Sequence, residues 1–489
     1  MNRNFRVSAA LAAVFCVLCA LPAVGWGQAR SASAKSAHLA SDAIPQERRD
    51  QYSDLAVQWM REYLRIDTTN PPGNEMRAVA WFKKILDAEG IESQVFEYAP
   101  GRANLLARLP HTTAHPKRPI ILLNHMDVVT SDAAHWRVPP FSAEIVDGAM
   151  YGRGAQDMKS EGLAQLVVLT MLKREKVPLD RDVLFLAVSD EEVMDTGTDW
   201  MIAHKKDLLG NAEFLLNEGG DNLLEDGKVR YIGVDVAEKA PYWLRMVAHG
   251  RPGHASRPIP DSAPNRLIRA LDKISHFETP LMVTPVVEEY FRQMAVYETP
   301  ERAKQFRDLK HALESKKFRE SLERDESTNY LLRTTISLTM LGGSEQTNVI
   351  PQEAWANLDV RLLPGENPEE FLATLRKVVG DSNVTIEPQN QEFLRANQSG
   401  IDNDLYAAIR TVSARYFPGV PVVPKITSGY TESQRYRPLG VNSYGYSGYT
   451  ATTPEGNSEH GNDERIRVEE LRRGSRILFD VVAMVAGAH

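Results

Sequence analysis

The stretch that decides the fold is residues 119–127, which read PIILLNHMD. The segment Pro119–Asn124 is mostly apolar and has the length of a buried strand, and His125 and Asp127 follow it directly. In an open α/β sheet the carboxyl ends of the strands line the ligand crevice. The stretch therefore predicts a strand that delivers a histidine to the functional edge of such a sheet. A histidine that only faces solvent is the alternative interpretation of this motif taken alone.

Helical and strand-like segments alternate around this strand. Apolar residues at helical spacing predict helices, and short apolar runs predict strands. Such alternation favours an α/β fold with a mixed central sheet flanked by helices on both faces. The predicted helices are Asp54–Ile66, Ala78–Ala88, Ser160–Lys173 and Asp199–Lys206, and the predicted strands are Asn104–Leu109, Pro119–Asn124, Asp182–Ser189 and Ala212–Asn217.

The pattern changes between residues 238 and 389. The segments there follow the order βαββαβ, which is typical of a ferredoxin-like unit. The α/β pattern then resumes and ends in a helix, Val468–Ala486. We therefore predict one domain in two parts, residues 51–237 and 390–489, with a second domain inserted at 238–389. The predicted elements of the inserted domain are Tyr242–Ala248, Ser262–Ile274, Thr335–Leu341, Ala354–Leu362, Pro368–Val379 and Asn383–Glu387.

A charged segment, residues 277–330, interrupts the inserted domain. Runs of charge usually mark the solvated face of a helix, so exposed helices are expected here. A partner-binding surface is the alternative function for this segment.

The first 27 residues have the layout of a secretory signal peptide. Arg3 and Arg6 precede an apolar run, Val7–Val24, and small residues follow it. An uncleaved membrane anchor is the alternative, although the run is near the short limit for crossing a bilayer. Residues 28–50 are polar and predict a linker. We expect export to the periplasm or the extracellular space, with no membrane attachment after leader cleavage.

Composition excludes several classes of protein. The chain has 489 residues, of which 43% are hydrophobic and 25% charged, which is typical of a globular protein and not of a fibre or a disordered tail. The formal net charge of -8 argues against a nucleic-acid partner. Both cysteines, Cys16 and Cys19, lie in the predicted leader. A mature chain without cysteine can hold a metal ion only through His, Asp and Glu.

Acidic residues follow two further predicted strands. Asp190, Glu191 and Glu192 come after the strand Asp182–Ser189, and Glu218 comes after Ala212–Asn217. Like charges crowded into a crevice repel one another, so such a cluster needs a bound cation or protonation. Solvated loop acids are the alternative interpretation.

Two loops add further candidate ligands. Residues 151–159 read YGRGAQDMK and lead into a predicted helix, whose N-cap could be Asp157. Residues 458–464 read SEHGNDE and place His460 before the last helix, with Glu464 as a capping or supporting acid. Oxygen ligands together with two imidazoles suit zinc.

These motifs resemble those of the two-zinc metallopeptidases and amidohydrolases that include aminoacylase, acetylornithine deacetylase, succinyl-diaminopimelate desuccinylase and glutamate carboxypeptidase. The resemblance runs from about Ala56 to the end of the chain, and NHMDVV, YGRGAQDMK and DEE resemble the aminoacylase-like branch most closely. It implies two zinc ions, with cobalt or manganese as substitutes. The implied ligands are His125, Asp157 and Glu218 for one ion, and Asp157, Glu192 and His460 for the other.

The same resemblance implies roles for residues around the ions. Glu191 would act as the general base and then as the general acid, and Asp127 would orient His125. The peptide bond after Asp157 would be cis. Glu218 stands where many relatives carry aspartate.

In the inserted domain, residues 250–256 read GRPGHAS and resemble the family's lid motif. The resemblance implies that residues 238–389 form a lid and dimerisation domain, and that His254 reaches across a homodimer to stabilise the oxyanion. Asn348 and Arg361 would bind the substrate's carboxylate side, for which a surface strand arginine is the alternative at Arg361. The residues that would line the substrate pocket are Gly429, Thr431 and Glu432.

Together these features predict an exported zinc-dependent hydrolase that cleaves a terminal amide bond. The substrate would be a short peptide, as for a carboxypeptidase or dipeptidase, or an N-acyl amino acid, as for an aminoacylase. A catalytically silent dimeric binding protein of the same fold is the alternative. A serine hydrolase is disfavoured because the sequence has no Gly-x-Ser-x-Gly motif.

Overall fold

The computed structural model of the chain describes residues 38–209, 211–389 and 395–488. The predicted leader, residues 1–27, lies outside these ranges, and so does the first part of the predicted linker, residues 28–37. None of the helices in the described ranges combines the length and the apolar character that crossing a membrane requires.

The described residues form helices and short strands in close alternation. The helices are α1 (Gln46–Leu64), α2 (Met76–Ala88), α3 (Lys159–Arg174), α4 (Thr196–Lys205), α5 (Ala263–Ser275), α6 (Pro285–Met294), α7 (Pro300–Arg307), α8 (Leu309–Ala312), α9 (Lys316–Glu323), α10 (Glu326–Leu332), α11 (Pro368–Val379), α12 (Asp404–Tyr416), α13 (Ser433–Tyr436), α14 (Thr453–Gly456) and α15 (Val468–Ala486). The strands are β1 (Glu92–Ala99), β2 (Arg102–Leu109), β3 (Lys117–His125), β4 (Ile145–Val146), β5 (Ala149–Tyr151), β6 (Arg181–Val188), β7 (Phe214–Asn217), β8 (Leu223–Glu225), β9 (Lys228–Glu238), β10 (Ala240–His249), β11 (Gly253–His254), β12 (Thr335–Gly342), β13 (Val349–Ile350), β14 (Glu353–Leu362), β15 (Val384–Pro388), β16 (Asn397–Gln398), β17 (Val422–Thr427), β18 (Asn442–Gly445) and β19 (Arg465–Arg467).

The main sheet is mixed, as the sequence predicts. Its strands lie in the order β1-β2-β6-β3-β7-β18-β9-β16, and β8 and β17 also pair with β9. The central strand β3 runs parallel to both of its neighbours, β6 and β7. The antiparallel pairs β1–β2 and β2–β6 complete one side of the sheet. The carboxyl ends of β3, β6 and β7 therefore meet at one edge.

Helices cover both faces of this sheet. Ile120 and Leu122 of β3 belong to one hydrophobic cluster, which also includes residues of α1, α3 and α15. Ile121 and Leu123 point to a second cluster, on the opposite face, which includes Met201 of α4. A strand buried on both faces needs apolar residues at every position, which explains the continuous apolar run in the sequence.

A second, antiparallel sheet is built from residues 240–388. Its strands lie in the order β12-β14-β10-β15, and α5 and α11 pack on it. Along the chain its elements follow the order βαββαβ. The sheet has a hydrophobic cluster of its own, separate from those of the main sheet. β12 is an edge strand, and most of its side chains are exposed.

The linker prediction is wrong for residues 38–50. α1 begins at Gln46, and Leu39 and Ile44 are buried in the main core. The backbone N–H and the hydroxyl of Ser41 both donate to the carboxylate of Asp480 in α15, each at 2.7 Å. Two apolar side chains and one serine thus fix this polar segment to the core and to the last helix. The composition of the segment does not reveal these contacts.

The charged insertion, residues 277–330, is only partly solvated. Its helix α6 packs on β17 of the main sheet, and Val287, Phe291 and Phe306 join the core of that sheet. The rings of Phe291 and Phe306 contact edge to face at 4.9 Å between centroids. The predicted exposure holds for the charged side chains, while an apolar stripe fixes the insertion to the main sheet.

We expect Phe291→Ala to lower the free energy of unfolding by about 3–5 kcal/mol, because the variant removes a fully buried ring. Urea unfolding measures the change. The matched control is Val296→Ala in the same insertion, whose side chain is 62% exposed and whose loss is expected to cost less than about 0.5 kcal/mol. Equally small effects in both variants would contradict a core role for the insertion.

Candidate metal centre

The parallel register of the main sheet gathers the predicted ligands. His125 is the last residue of β3 and lies opposite Val188, the last residue of β6. Glu191 and Glu192 follow β6 within four residues, and Glu218 directly follows β7 on the other side of β3. Three neighbouring strands therefore deliver an imidazole and three carboxylates to the same edge.

One carboxylate contacts both predicted histidines. Oδ1 of Asp157 lies 2.9 Å from Nε2 of His125, and Oδ2 lies 3.0 Å from Nε2 of His460. Each imidazole nitrogen also faces a second carboxylate, at 3.5 Å from Oε2 of Glu218 for His125 and at 3.1 Å from Oε2 of Glu192 for His460. Asp157 thus lies between two sets of ligands, as a bridging ligand must.

Glu191 belongs to the same cluster. Ligand atoms of His125, Glu191 and Glu218 all lie within 4.8 Å of one another, as do those of His125, Asp157 and Glu192. The position of Glu191 suits either a ligand or a nearby base, and its separate role as a base comes from the family resemblance.

The crowded acids shift one another's protonation. Burial and the charge of Glu218 raise the pKa of Glu191 well above its usual value. Burial and the charge of Asp157 raise the pKa of Glu218 in the same way. Hydrogen bonds with Asp157 and Glu192 raise the pKa of His460 to about 10. Four carboxylates outnumber the two imidazoles, so the cluster favours cations.

The donor set fits two divalent ions. Carboxylate oxygens and imidazole nitrogens, without sulfur, are ligands of zinc and of its common substitutes. Oε1 of Glu192 is buried and has no hydrogen-bond partner among the described residues, although its other oxygen faces His460. A buried carboxylate oxygen without a partner is costly unless a cation binds it.

Asp127 contacts the imidazole of His125 through its main chain. The Nδ1–H of His125 donates to the main-chain oxygen of Asp127 at 3.0 Å, whereas the carboxylate lies 3.6 Å from that nitrogen. The carboxylate instead accepts the backbone N–H groups of Glu191 and Glu192, each at 3.2 Å. Asp127 therefore connects the histidine strand to the loop that carries the two glutamates.

Two supporting residues escaped the sequence analysis. The amide nitrogen of Asn70 donates to both Asp127 and Asp190, each at 2.8 Å. The guanidinium of Arg102 joins Asp190, at 2.7 Å, to the buried Glu75. Asp190 has a left-handed backbone with φ of 75°, which these contacts hold in place. Only a fold brings Asn70 and Arg102 beside Asp190, so the local sequence carries no signal for them.

Asp157 is not the N-cap of α3. Met158 holds that position, and no side chain caps the helix. The Asp157–Met158 peptide is cis, as the resemblance implies. Because Asp157 does not cap the helix, both of its oxygens remain for the two histidines.

The predicted lid residues fall into two places. His254 is exposed, and its Nδ1 lies 2.8 Å from the hydroxyl of Ser256. Asn348 lies close to His254, because the N–H of Ala255 donates to the main-chain oxygen of Asn348 at 3.0 Å. No hydrogen bond or ion pair recorded for the described part of the chain joins either residue to the acidic cluster.

Arg361 lies beside the predicted pocket loop. Its guanidinium binds both oxygens of Asp359, at 2.8 and 3.1 Å, and its Nη1 approaches the main-chain oxygen of Ser428 at 3.5 Å. Ser428 precedes Gly429, so two predicted substrate-binding residues are brought together. The ion pair with Asp359 makes Arg361 more than a free surface arginine.

In the rest of the pocket loop, Thr431 is partly buried and Glu432 is buried. Thr431 donates to Glu238 through its N–H at 3.1 Å and its hydroxyl at 2.9 Å. Glu432 accepts the side-chain amide of Asn217, the residue before Glu218, at 2.8 Å. Burial and the charge of Asp195 raise the pKa of Glu432 to about 8. This loop therefore packs directly behind the strand end that carries Glu218.

Comparison of the sequence with known families gives one clear match. The sequence model of peptidase family M20/M25/M40 matches residues 121–484. Human aminoacylase-1 is 28% identical over 441 residues, which covers 88% of this chain and 95% of that protein. Human N-fatty-acyl-amino acid synthase/hydrolase PM20D1 is 26% identical over 370 residues, which covers 75% of this chain and 74% of that protein.

Solved structures share the fold at lower identity. The M20 family metallo-carboxypeptidase Sso-CP2 from Sulfolobus solfataricus superposes with a TM-score of 0.65 at 18% identity, over 88% of this chain and 99% of that chain. Human carnosine dipeptidase 1 gives a TM-score of 0.64 at 18% identity, over 90% and 97% of the two chains.

We expect His460→Ala to lower bound zinc from two ions per chain to about one, because the ligands on the strand ends remain in place. Elemental analysis after loading and desalting measures the content. His204→Ala is the matched control, since His204 lies in α4 and contacts Trp200, through its Nδ1 at the main-chain oxygen and through ring stacking at 4.8 Å, rather than a proposed ligand. Two ions retained in the His460 variant would contradict its assignment as a ligand.

Proposed function

The chain belongs to peptidase family M20/M25/M40, a family of hydrolases, and from this premise we propose that it cleaves a terminal amide bond with the help of two zinc ions. The substrate is a short peptide or an N-acyl amino acid. The observation that carries the proposal is the position of Asp157, whose two oxygens face the two histidines. The similarity to aminoacylase-1 and to a metallo-carboxypeptidase supports the substrate class.

The chain's own residues would divide the work as follows. When bound, the two ions would polarise the scissile carbonyl and make water a better nucleophile at neutral pH. Glu191 accepts a proton from the attacking water and later donates it to the leaving nitrogen. The proposed ligands are His125, Asp157 and Glu218 for one ion, and Asp157, Glu192 and His460 for the other.

The inserted domain, residues 238–389, is proposed to be a ferredoxin-like lid. The βαββαβ order of its elements and its separate core support this assignment. Arg361 and Gly429 would bind the substrate's carboxylate, Arg361 through the terminal N–H groups of its guanidinium that the pair with Asp359 leaves free. Asn348 would contribute from the turn beside His254.

The chain is proposed to act as a homodimer through this lid. β12 pairs with β14 on one side only in the described part of the chain, and it exposes Leu338, Met340 and Leu341 by 48, 53 and 60%. Exposed apolar edges are usually covered in native proteins. His254 of one subunit would then serve the active site of the other. Export to the periplasm or the extracellular space remains a prediction from the leader.

A catalytically silent binding protein is the second candidate. Such a protein could use the exposed edge of the lid for dimerisation and the pocket for ligand binding. The candidate is disfavoured because a competent glutamate, Glu191, lies within the ligand cluster.

A panel of dipeptides and N-acyl amino acids tests the function. We expect hydrolysis with zinc or cobalt, loss of activity after thorough chelation, and recovery on adding the metal back. Glu191→Gln is expected to retain its metal content and to lose about 10²–10⁴-fold in kcat, because the base is lost. Activity that survives chelation would exclude the metal-dependent mechanism. Dipeptide cleavage without N-acyl cleavage, or the reverse, would decide between peptidase and acylase.

The shared active site has its own test. His254→Ala and Glu191→Gln are each expected to be inactive, whereas mixed subunits are expected to recover roughly a quarter of wild-type activity, because half of the dimers hold one intact site. Refolded or co-expressed mixtures are assayed beside each variant alone. Absence of recovery in a mixture that contains mixed dimers would contradict a contribution of His254 across the interface.

A further inference from the structure

We propose that the buried ion pair between Arg153 and Glu464 is a positioning device that sets Asp157 against His460. The pair thereby determines how tightly the ion shared by Asp157, Glu192 and His460 is bound. The inference rests on the proposed function, because it concerns one of the two proposed ions. No hydrogen bond or ion pair in the described ranges joins either side chain to an imidazole or carboxylate of the cluster, and Glu464 contacts Asp157 through its backbone N–H. Both residues therefore act by positioning the loops that carry the ligands.

Glu464 holds the loop that carries Asp157. Its Oε1 accepts the backbone N–H groups of Gln156 at 2.7 Å and Asp157 at 3.1 Å. Its Oε2 accepts the N–H of Gly154 at 2.9 Å and Nη1 of Arg153 at 2.7 Å. One carboxylate therefore collects four donors from a five-residue loop. Such a carboxylate is a strong and geometrically specific acceptor.

Arg153 holds the loop that carries His460. Its Nη2 donates to the main-chain oxygen of Gly461 at 2.8 Å and reaches that of Thr130 at 3.3 Å. The guanidinium also lies 5.2 Å from the centre of the Trp136 ring. The side chains of Arg153 and Glu464 are only 3% and 1% exposed, so water does not weaken the pair.

Each residue of the ion pair holds the loop that carries the other residue. Glu464 comes from the histidine loop and holds the aspartate, while Arg153 comes from the aspartate loop and holds the residue after the histidine. His460 has a left-handed backbone with φ of 55°, which non-glycine residues rarely adopt. The contact of Arg153 with Gly461 helps to maintain this conformation, and with it the direction of the imidazole.

The other proposed ion depends less on this pair. His125 ends β3 and lies in register with Val188 of β6, and Glu218 directly follows β7. Of the two ligands that the pair positions, Asp157 belongs to both proposed ions, whereas His460 belongs to one. Disturbing the ion pair is therefore expected to weaken one ion more than the other.

Glu464→Gln is the sharpest variant. Glutamine has the same shape as glutamate, but its NH₂ group would face the N–H donors that now bind the carboxylate. Two donors cannot hydrogen-bond to each other, so the loop has to move. Arg153→Lys is the milder variant, because lysine keeps the charge and loses the fork that binds Glu464 and Gly461 together. If the first variant fails to fold, the second still tests the proposal.

The experiment titrates the metal-free, full-length protein with zinc and with cobalt, by calorimetry and by the visible absorption of cobalt. We expect two binding steps in the wild type. His460→Ala identifies which of the two binding steps belongs to the ion held by His460, because that step is lost. In Glu464→Gln the affinity of this step is expected to fall by about 10–100-fold, and the affinity of the other step to change less than about threefold. Arg153→Lys is expected to weaken the same step by a smaller factor.

The matched control is Glu213→Gln. Glu213 pairs at 2.8 Å with the buried Arg181, at the opposite, amino-terminal end of β6. We expect this variant to lower the thermal unfolding midpoint and to keep both binding steps. If the Glu464 and Arg153 variants lose stability but keep both affinities, the pair is merely structural and the proposal is overturned. If the wild type itself binds fewer than two ions, the proposed function fails first.

Discussion

The rest of the structure depends on carboxylates held close together at one edge of a parallel sheet. Two like charges about 4 Å apart repel by roughly 4 kcal/mol at an effective dielectric of about 20. Ligand oxygens of Asp157 and Glu192 lie within 4.8 Å of each other, and so do those of Glu191 and Glu218. Such a site needs bound cations or protonation of some carboxylates, and the buried groups around it hold the ligands in position.

The supporting contacts form a layer behind the cluster. Asp127 and Asn70 tie the end of β3 to the loop after β6, and Arg102 fixes that loop from the side. The connection between the main sheet and the second sheet is held in a similar way. The ammonium of Lys239, between β9 and β10, donates to the main-chain oxygens of Tyr330 and Arg333 at 3.1 and 2.9 Å. The insertion therefore packs on the main sheet and also fixes the point where the second sheet begins.

Much of the fold could be predicted from the sequence, because buried elements leave apolar periodicity. The last helix, Val468–Ala486, has exactly the predicted bounds, and the predicted strands around His125 differ from the observed ones by only a few residues. β1 escaped prediction because every one of its side chains is at least partly exposed. β9 escaped because it buries Asp235 and Glu238. Asp235 accepts the N–H of Gly220, and Glu238 accepts the guanidinium of Arg437 and the N–H and hydroxyl of Thr431.

The sequence by itself determined which side chains could carry chemistry, since the acids and histidines that end strands are visible in a linear chain. Tertiary structure decided how they combine: Asp157 lies between His125 and His460 only after loops some 300 residues apart are joined by Arg153 and Glu464. It also decided how Asp127 is used: its carboxylate binds the loop that carries Glu191 and Glu192, and its main-chain oxygen binds the imidazole of His125. The physical reason is that a ligand's identity is local, whereas distances of about 3 Å between ligands belong to the packing of the whole chain.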